Sequence, residues 1–118
     1  MTVKITIVGL GQLGASVGLA LGKRQSDIHR VGHDISPEIE KKAQKIGAVD
    51  DVKHNLPAAV RDANIVLLSL PVNEIRATLE VIAPDLREGV VVMDTAPIQT
   101  SVAEWAQEIL PEGRYFVG

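Results

Sequence analysis

Cysteine is absent from the 118 residues, which removes a disulfide framework, a thiolate metal site and a cysteine nucleophile together and is compatible with a cytoplasmic setting. Aromatic residues are almost as scarce, with one Trp, one Tyr and one Phe. The core must then come from Val, Ile, Leu and Ala, the residues of parallel strands buried on both faces. Clustered positive charge is missing too. Twelve Lys and Arg against fifteen Asp and Glu give a formal net charge of −3, and their scatter leaves no basic face for nucleic acid. No apolar run is long enough to cross a membrane, and Met1-Thr2-Val3-Lys4 passes straight into a strand pattern rather than a signal peptide. The sequence therefore predicts a cytoplasmic protein with neither nucleic acid nor membrane as partner.

What remains suits one folded domain spanning residues 1–118, with 46 % apolar and 23 % charged residues. Val3 to Val8 is a β-branched strand that becomes wholly apolar before Gly9. Leu13, Val17, Ala20 and Leu21 then recur at helical spacing, closed by Lys23 and Arg24, which suit a helix C-terminus. Ile28 to His33 is a second strand. Ser36 as cap and Pro37 in the first turn open a helix carrying Ile39, Ala43 and Ile46, stopped at Gly47. A short edge strand at Asp51 and Val52 precedes a helix of about two turns opened by Asn55 and Pro57. Ile65 to Leu70 is an unbroken buried strand, and Asn73 is expected to cap a helix with Ile75, Leu79 and Ile82 that ends at Pro84. Val90 to Met93 repeats the buried pattern up to Asp94. Ser101 and Glu104 have capping-box spacing ahead of Val102, Ala106 and Ile109, with Trp105 packing at the helix–sheet boundary, and Tyr115 to Val117 starts a last strand.

Strand and helix thus alternate five times before a sixth strand. Right-handed crossovers arrange such a chain as an α/β fold of the Rossmann type: a doubly wound parallel sheet of six strands in the order 3-2-1-4-5-6, with helices on both faces.

Gly9-Leu10-Gly11-Gln12-Leu13-Gly14 lies between the first strand and the first helix, where a phosphate-binding fingerprint has to be. Gly9 permits the turn, Gly11 lets a pyrophosphate approach the backbone, and Gly14 allows close helix packing, while the helix start supplies unpaired N–H groups. Glycines serving only a tight turn would give the same pattern. Asp34 weighs against that reading, because it ends the second strand 20 residues after Gly14, where a carboxylate accepts hydrogen bonds from the adenosine ribose; by itself it could equally cap the helix at Pro37. It would repel a 2′-phosphate, and no Arg follows in Ile35-Ser36-Pro37, so NAD is favoured over NADP. On the rim beside the glycine loop, Leu70, Pro71 and Val72 are candidates to support the nicotinamide-side ribose, and Thr95 joins them after the fifth strand. Asp94 either orients the carboxamide end or substrate, or caps its turn. His29, His33 and His54 share no metal-ligand spacing and are read as surface residues, and no metal site and no catalytic residue is nominated.

The glycine loop, Val31-Gly32-His33-Asp34, Ile65-Val66-Leu67-Leu68-Ser69-Leu70-Pro71-Val72 and Leu110-Pro111-Glu112-Gly113-Arg114-Tyr115-Phe116-Val117-Gly118 together resemble the prephenate and arogenate dehydrogenases over the whole chain. The resemblance implies the NAD(P)-binding N-terminal domain of an oxidoreductase of tyrosine biosynthesis, positioning the nicotinamide for hydride transfer. A helical second domain would supply the catalytic histidine, in a Gly-His-Pro motif just after the segment matching Phe116-Val117-Gly118, together with much of the acid substrate's site and a homodimer interface. A fragment or isolated domain, inactive alone, is therefore expected. The family's Asp-x-Gly-Ser-x-Lys segment is Asp94-Thr95-Ala96-Pro97-Ile98-Gln99 in this chain, and Pro97 has no hydroxyl to assist that histidine. A dehydrogenase for another acid, a non-catalytic nucleotide-binding or redox-sensing module, and an S-adenosylmethionine methyltransferase remain as alternatives.

Overall fold

The computed structural model describes residues 2–24, 27–95 and 100–117. Its elements run β1 (Val3–Val8), α1 (Gln12–Arg24), β2 (Ile28–His33), α2 (Pro37–Lys45), β3 (Asp51–Val52), α3 (Leu56–Val60), β4 (Ile65–Leu68), α4 (Val72–Ile82), β5 (Val91–Asp94), α5 (Thr100–Ile109) and β6 (Tyr115–Val117), with a 3-10 turn at Ala83–Asp85. All six strands are parallel, in the order β3-β2-β1-β4-β5-β6. The expected Rossmann topology is the one observed.

Alternation along the central strands divides the core into two layers. Ile5, Ile7 and Leu67 face Ala43, Ala48 and Val49, with Ala15, Val17 and Leu19 of α1 packed on them. Val8, Val66, Leu68, Val90 and Val92 face Ile75, Leu79, Ile82, Val102 and Ala106 of α4 and α5. Thr6 points into this second layer and remains satisfied there, since its hydroxyl donates to the Ala59 carbonyl of α3 at 2.6 Å. Trp105 packs at the edge of the same layer, as its place in α5 predicts, with the Arg76 guanidinium 5.9 Å from its ring centroid. On the opposite face of β5 and β6, Met93, Tyr115 and Val117 stay exposed, because α1 and α2 pack on the other half of the sheet.

Several boundaries differ from the sequence reading. β4 stops at Leu68 rather than Leu70, as Pro71 has no N–H for a ladder and the chain turns there into α4. That helix begins at Val72 with Pro71 as its cap residue and no side-chain cap bond, so Asn73 lies in the first turn. α5 begins at Thr100, which puts Ser101 inside the helix instead of at its cap. In α2 the Ser36 cap and the Gly47 stop, at φ +83°, are as expected. Its buried residues, however, are Glu40 and Ala43, while Ile39 and Ile46 are exposed.

The buried Arg30 of β2 ties the first half of the fold together. Its Nη1 donates to the carbonyls of Gly18, Gly47 and Ala48 at 2.7–3.0 Å, and its Nη2 reaches Asp50 Oδ1 at 3.0 Å. Donated hydrogen bonds from the Arg30 side chain hold the Asp50 carboxyl below the usual carboxylate range, against the opposing effect of partial burial. Arg30→Met would leave three carbonyls without their donor and should lower the unfolding free energy in urea by about 3 kcal/mol. Because Asp50 has its pKa depressed in the folded state, its contribution is complete above the unfolded carboxylate pKa and is lost as pH falls through the folded value. Below about pH 4 the wild type should therefore lose stability more steeply than Asp50→Asn in acid-unfolding curves, while at pH 7 the variant is the less stable of the two.

Candidate functional site

The register sets four strand ends level. Val8 pairs with His33 and Leu68, and Leu68 with Asp94. The next residue of three of them extends the ladder by one step: Gly9 N–H donates to His33 O at 2.8 Å, Ser69 N–H to Val8 O at 2.8 Å and Thr95 N–H to Leu68 O at 3.1 Å. From β1 the winding proceeds outward in both directions, so the connections after β1 and β4 diverge and leave a crevice at the carboxyl rim. It holds about 370 Å³ and is lined by Val8, Gly9, Gly11, His33, Asp34, Ile35, Leu56, Ser69, Leu70, Pro71, Glu74 and Thr78.

Each glycine of the loop has a separate physical reason. Gly9 has φ +97°, and a Cβ there would lie 2.2 Å from the Ser69 carbonyl oxygen, so both backbone conformation and space demand glycine. A Cβ on Gly14 would lie 2.0 Å from the Gly9 carbonyl oxygen; this is the close contact of the start of α1 with the loop that leaves β1. Gly11 is different, since a Cβ there would meet nothing within 4 Å. Its lack of a side chain is unexplained by packing and leaves the backbone open towards the crevice. The first backbone bond of α1 is Ala15 N–H to Gly11 O at 2.9 Å, so the N–H groups of Gln12, Leu13 and Gly14 have no carbonyl in their own helix and form an electropositive end.

Asp34 stands opposite. Its Oδ2 accepts from the Leu10 N–H at 2.8 Å and its Oδ1 from the Ser36 N–H at 2.9 Å. A carboxylate offers about four lone-pair positions, and these two bonds leave room at both oxygens. Ser36, not Asp34, caps α2 by accepting from Ile39 N–H.

The other nominated residues divide between the crevice and its surroundings. Leu70 and Pro71 line it, whereas Val72 packs on the core below. Leu10 and Gln12 line a separate groove of about 500 Å³ between α1 and α2, and Leu13 is 54 % exposed. The Thr95 hydroxyl lies 3.3 Å from Leu68 O, and Asp94 closes β5 on the same rim. Ala96, Pro97, Ile98 and Gln99 lie outside the described residues.

Residue spacing did not reveal one cluster. His33, read as a surface residue, has a largely buried side chain, and it meets Glu40 and His54 with one donor atom from each within 4.8 Å of the others. Glu40 is only 3 % exposed. Its Oε2 accepts from the Asp34 N–H at 3.0 Å and its Oε1 lies 2.8 Å from His54 Nδ1. The one available signal was the helical phase of α2, which places Glu40 three residues before the buried Ala43.

Comparison with known proteins gives the family. The family model for the prephenate dehydrogenase nucleotide-binding domain matches residues 17–118. The chain belongs to that family. Among curated relatives, prephenate dehydrogenase of Bacillus subtilis is 30 % identical over 115 residues, covering 97 % of this chain and 31 % of its own length. Cyclohexadienyl dehydrogenase of Zymomonas mobilis is 32 % identical over 107 residues, covering 91 % of this chain and 36 % of its own. The chain thus spans about a third of the length of these relatives. Synechocystis arogenate dehydrogenase superposes with a TM-score of 0.83 at 32 % identity, over 90 % of this chain and 37 % of that one. Prephenate dehydrogenase from A. aeolicus, solved with hydroxyphenyl propionate and NAD+, gives a TM-score of 0.85 at 24 % identity, over 97 % of this chain and 40 % of that one, a likeness of fold. The family match begins within α1, so the glycine loop stands on its own geometry. Among the described residues no helix is long and apolar enough to cross a membrane.

The loop geometry makes a direct prediction about stability. Gly14→Ala forces α1 away from the Gly9 carbonyl and should destabilise the domain by about 3 kcal/mol, read as a shift of the urea midpoint. An unchanged midpoint would mean that α1 does not pack as described.

Proposed function

We propose that this chain is the cofactor-holding domain of an NAD-dependent dehydrogenase acting on prephenate, arogenate or a closely similar acid. The observation that carries the reading is the pairing of open backbone at Gly11 with the Asp34 carboxylate anchored across the same crevice. The pyrophosphate would sit against the orphan N–H groups of Gln12 to Gly14, where the helix end is electropositive. Asp34 would accept from the two hydroxyls of the adenosine ribose. Leu70 and Pro71 would support the cofactor further along the crevice, with Val72 and Thr95 holding that rim in shape. Leu10 fixes the loop's course through the hydrogen bond from its N–H to Asp34, and Leu13 contributes one of the orphan N–H groups. When bound, the nicotinamide supplies a hydride acceptor for the substrate carbon, and the protein contributes position, water exclusion and electrostatics.

Preference for NAD follows from charge. A 2′-phosphate would replace a donor facing Asp34 with a dianion, and Ile35-Ser36-Pro37 supplies no cation to receive it. The acid substrate, the catalytic histidine and a homodimer interface would belong to the part of the relatives that these residues do not span. These 118 residues alone would therefore bind cofactor without turning over substrate, and a cytoplasmic location belongs to the same proposal.

Calorimetric titration of the chain tests this, with NAD+, NADP+ and S-adenosylmethionine in separate cells. NAD+ should bind at least about tenfold more tightly than NADP+, and micromolar binding of S-adenosylmethionine alone would overturn the reading. Gly11→Ala is the sharper variant. Its Cβ meets no protein atom, so the Tm should stay within a degree or two while NAD+ affinity falls about tenfold or more. A variant that binds as well as the wild type would remove the pyrophosphate from that backbone.

A further inference from the structure

Glu40 is a buried carboxylate that does not itself line the crevice, and nothing in the cofactor chemistry accounts for it. Buried carboxylates are kept only where hydrogen bonds replace water. Here the two oxygens are divided: Oε2 takes the Asp34 N–H at 3.0 Å, and Oε1 takes His54 Nδ1 at 2.8 Å. His54 is the outer member, with its side chain 57 % exposed. On the inner side Asp34 passes the constraint on, because its own carboxylate holds the Leu10 N–H of the glycine loop at 2.8 Å. His33 closes the cluster, its Nδ1 3.2 Å from the Lys53 carbonyl and 3.8 Å from Glu40 Oε2. The donors are therefore satisfied within the protein, and the cluster needs no metal ion to explain it.

We propose that Glu40, braced by His54, is a positioning residue for the nucleotide: it pins the backbone of Asp34 so that the ribose-facing carboxylate and the glycine loop keep one fixed geometry. The inference rests on the nucleotide reading given above and adds to it a side chain that makes no contact with the ligand. The effect travels through a single backbone amide. Without an acceptor on α2 the Asp34 N–H is left unpaired beside the crevice, and the turn after β2 is free to settle elsewhere. A leucine at position 40 fills comparable volume but accepts nothing, whereas glutamine keeps an oxygen for the Asp34 N–H and an amide group for His54.

The experiment compares NAD+ affinity and Tm across a small set of variants of this chain. Glu40→Leu should weaken NAD+ about tenfold, Glu40→Gln should stay within about threefold of the wild type, and His54→Ala, at an exposed position, should weaken NAD+ about threefold with Tm unchanged. Val92→Ala is the control for stability alone: it removes core packing distant from α2 and should lower Tm with NAD+ affinity unchanged. Glu40→Leu behaving like the control, with lower Tm and wild-type affinity, overturns the proposal, as does wild-type affinity in His54→Ala if Glu40→Leu does not fold. Wild-type protein that fails to bind NAD+ overturns the cofactor reading itself, a result distinct from either.

Discussion

The close stacking of three backbone segments, where the chain leaves β1, underlies every other feature of this domain. Gly9 turns with a positive φ beneath the Ser69 carbonyl, and Gly14 brings α1 against the Gly9 carbonyl, with less than a Cβ's clearance at both contacts. Because the Ser69 N–H itself donates to the Val8 carbonyl, the loop, the helix start and the end of β4 are one rigid unit. The direction of α1 follows from it, and so does the aim of its unpaired amides. A loop that could relax by an ångström would still permit the fold but would no longer direct those amides at a single point.

Arg30 plays the matching part away from the rim. A guanidinium at that depth is unfavourable unless each donor is matched, and here carbonyls from α1 and from the turn after α2 meet it together with Asp50. Polar matching thus secures the half of the fold whose apolar layer is the thinner, with small residues such as Ala43 and Ala48 in its centre. The other half relies on larger aliphatic side chains, Ile75, Leu79 and Ile82 among them. Both halves meet at β1, so the glycine loop is braced from two sides by different physics.

Local pattern carried most of this into the sequence. Period-two and period-3.6 hydrophobicity, with Ser36, Asn55 and Gly47 as caps and stops, gives all six strands and their order. Gly9, Gly11, Gly14 and Asp34 were legible because their requirements are set within one crossover. What escaped depends on partners distant in sequence. Asn73 has the chemistry of a cap, but Pro71 already begins the turn into α4. Ile39 and Ile46 look like a core face, yet α2 is rotated to bury Glu40, and only the folded proximity of the Asp34 amide and His54 makes that rotation favourable. Arg30 was unreadable for the same reason, since three of its acceptors are backbone carbonyls that carry no residue signature.

The residues that escaped also explain how the site is ready before any nucleotide arrives. A flexible carboxylate facing a ribose would have to lose rotamer freedom on binding, and that loss would oppose affinity. Asp34 has already lost it: the amides of Leu10 and Ser36 fix its two oxygens, and the Glu40 carboxylate fixes its backbone. The same bonds hold a second carboxylate close behind the first, an arrangement that on the proposed reading would disfavour an added phosphate and accept hydroxyl donors. Rigidity and the proposed discrimination would therefore come from one arrangement, in which the residue proposed to meet the ligand is set by neighbours that do not.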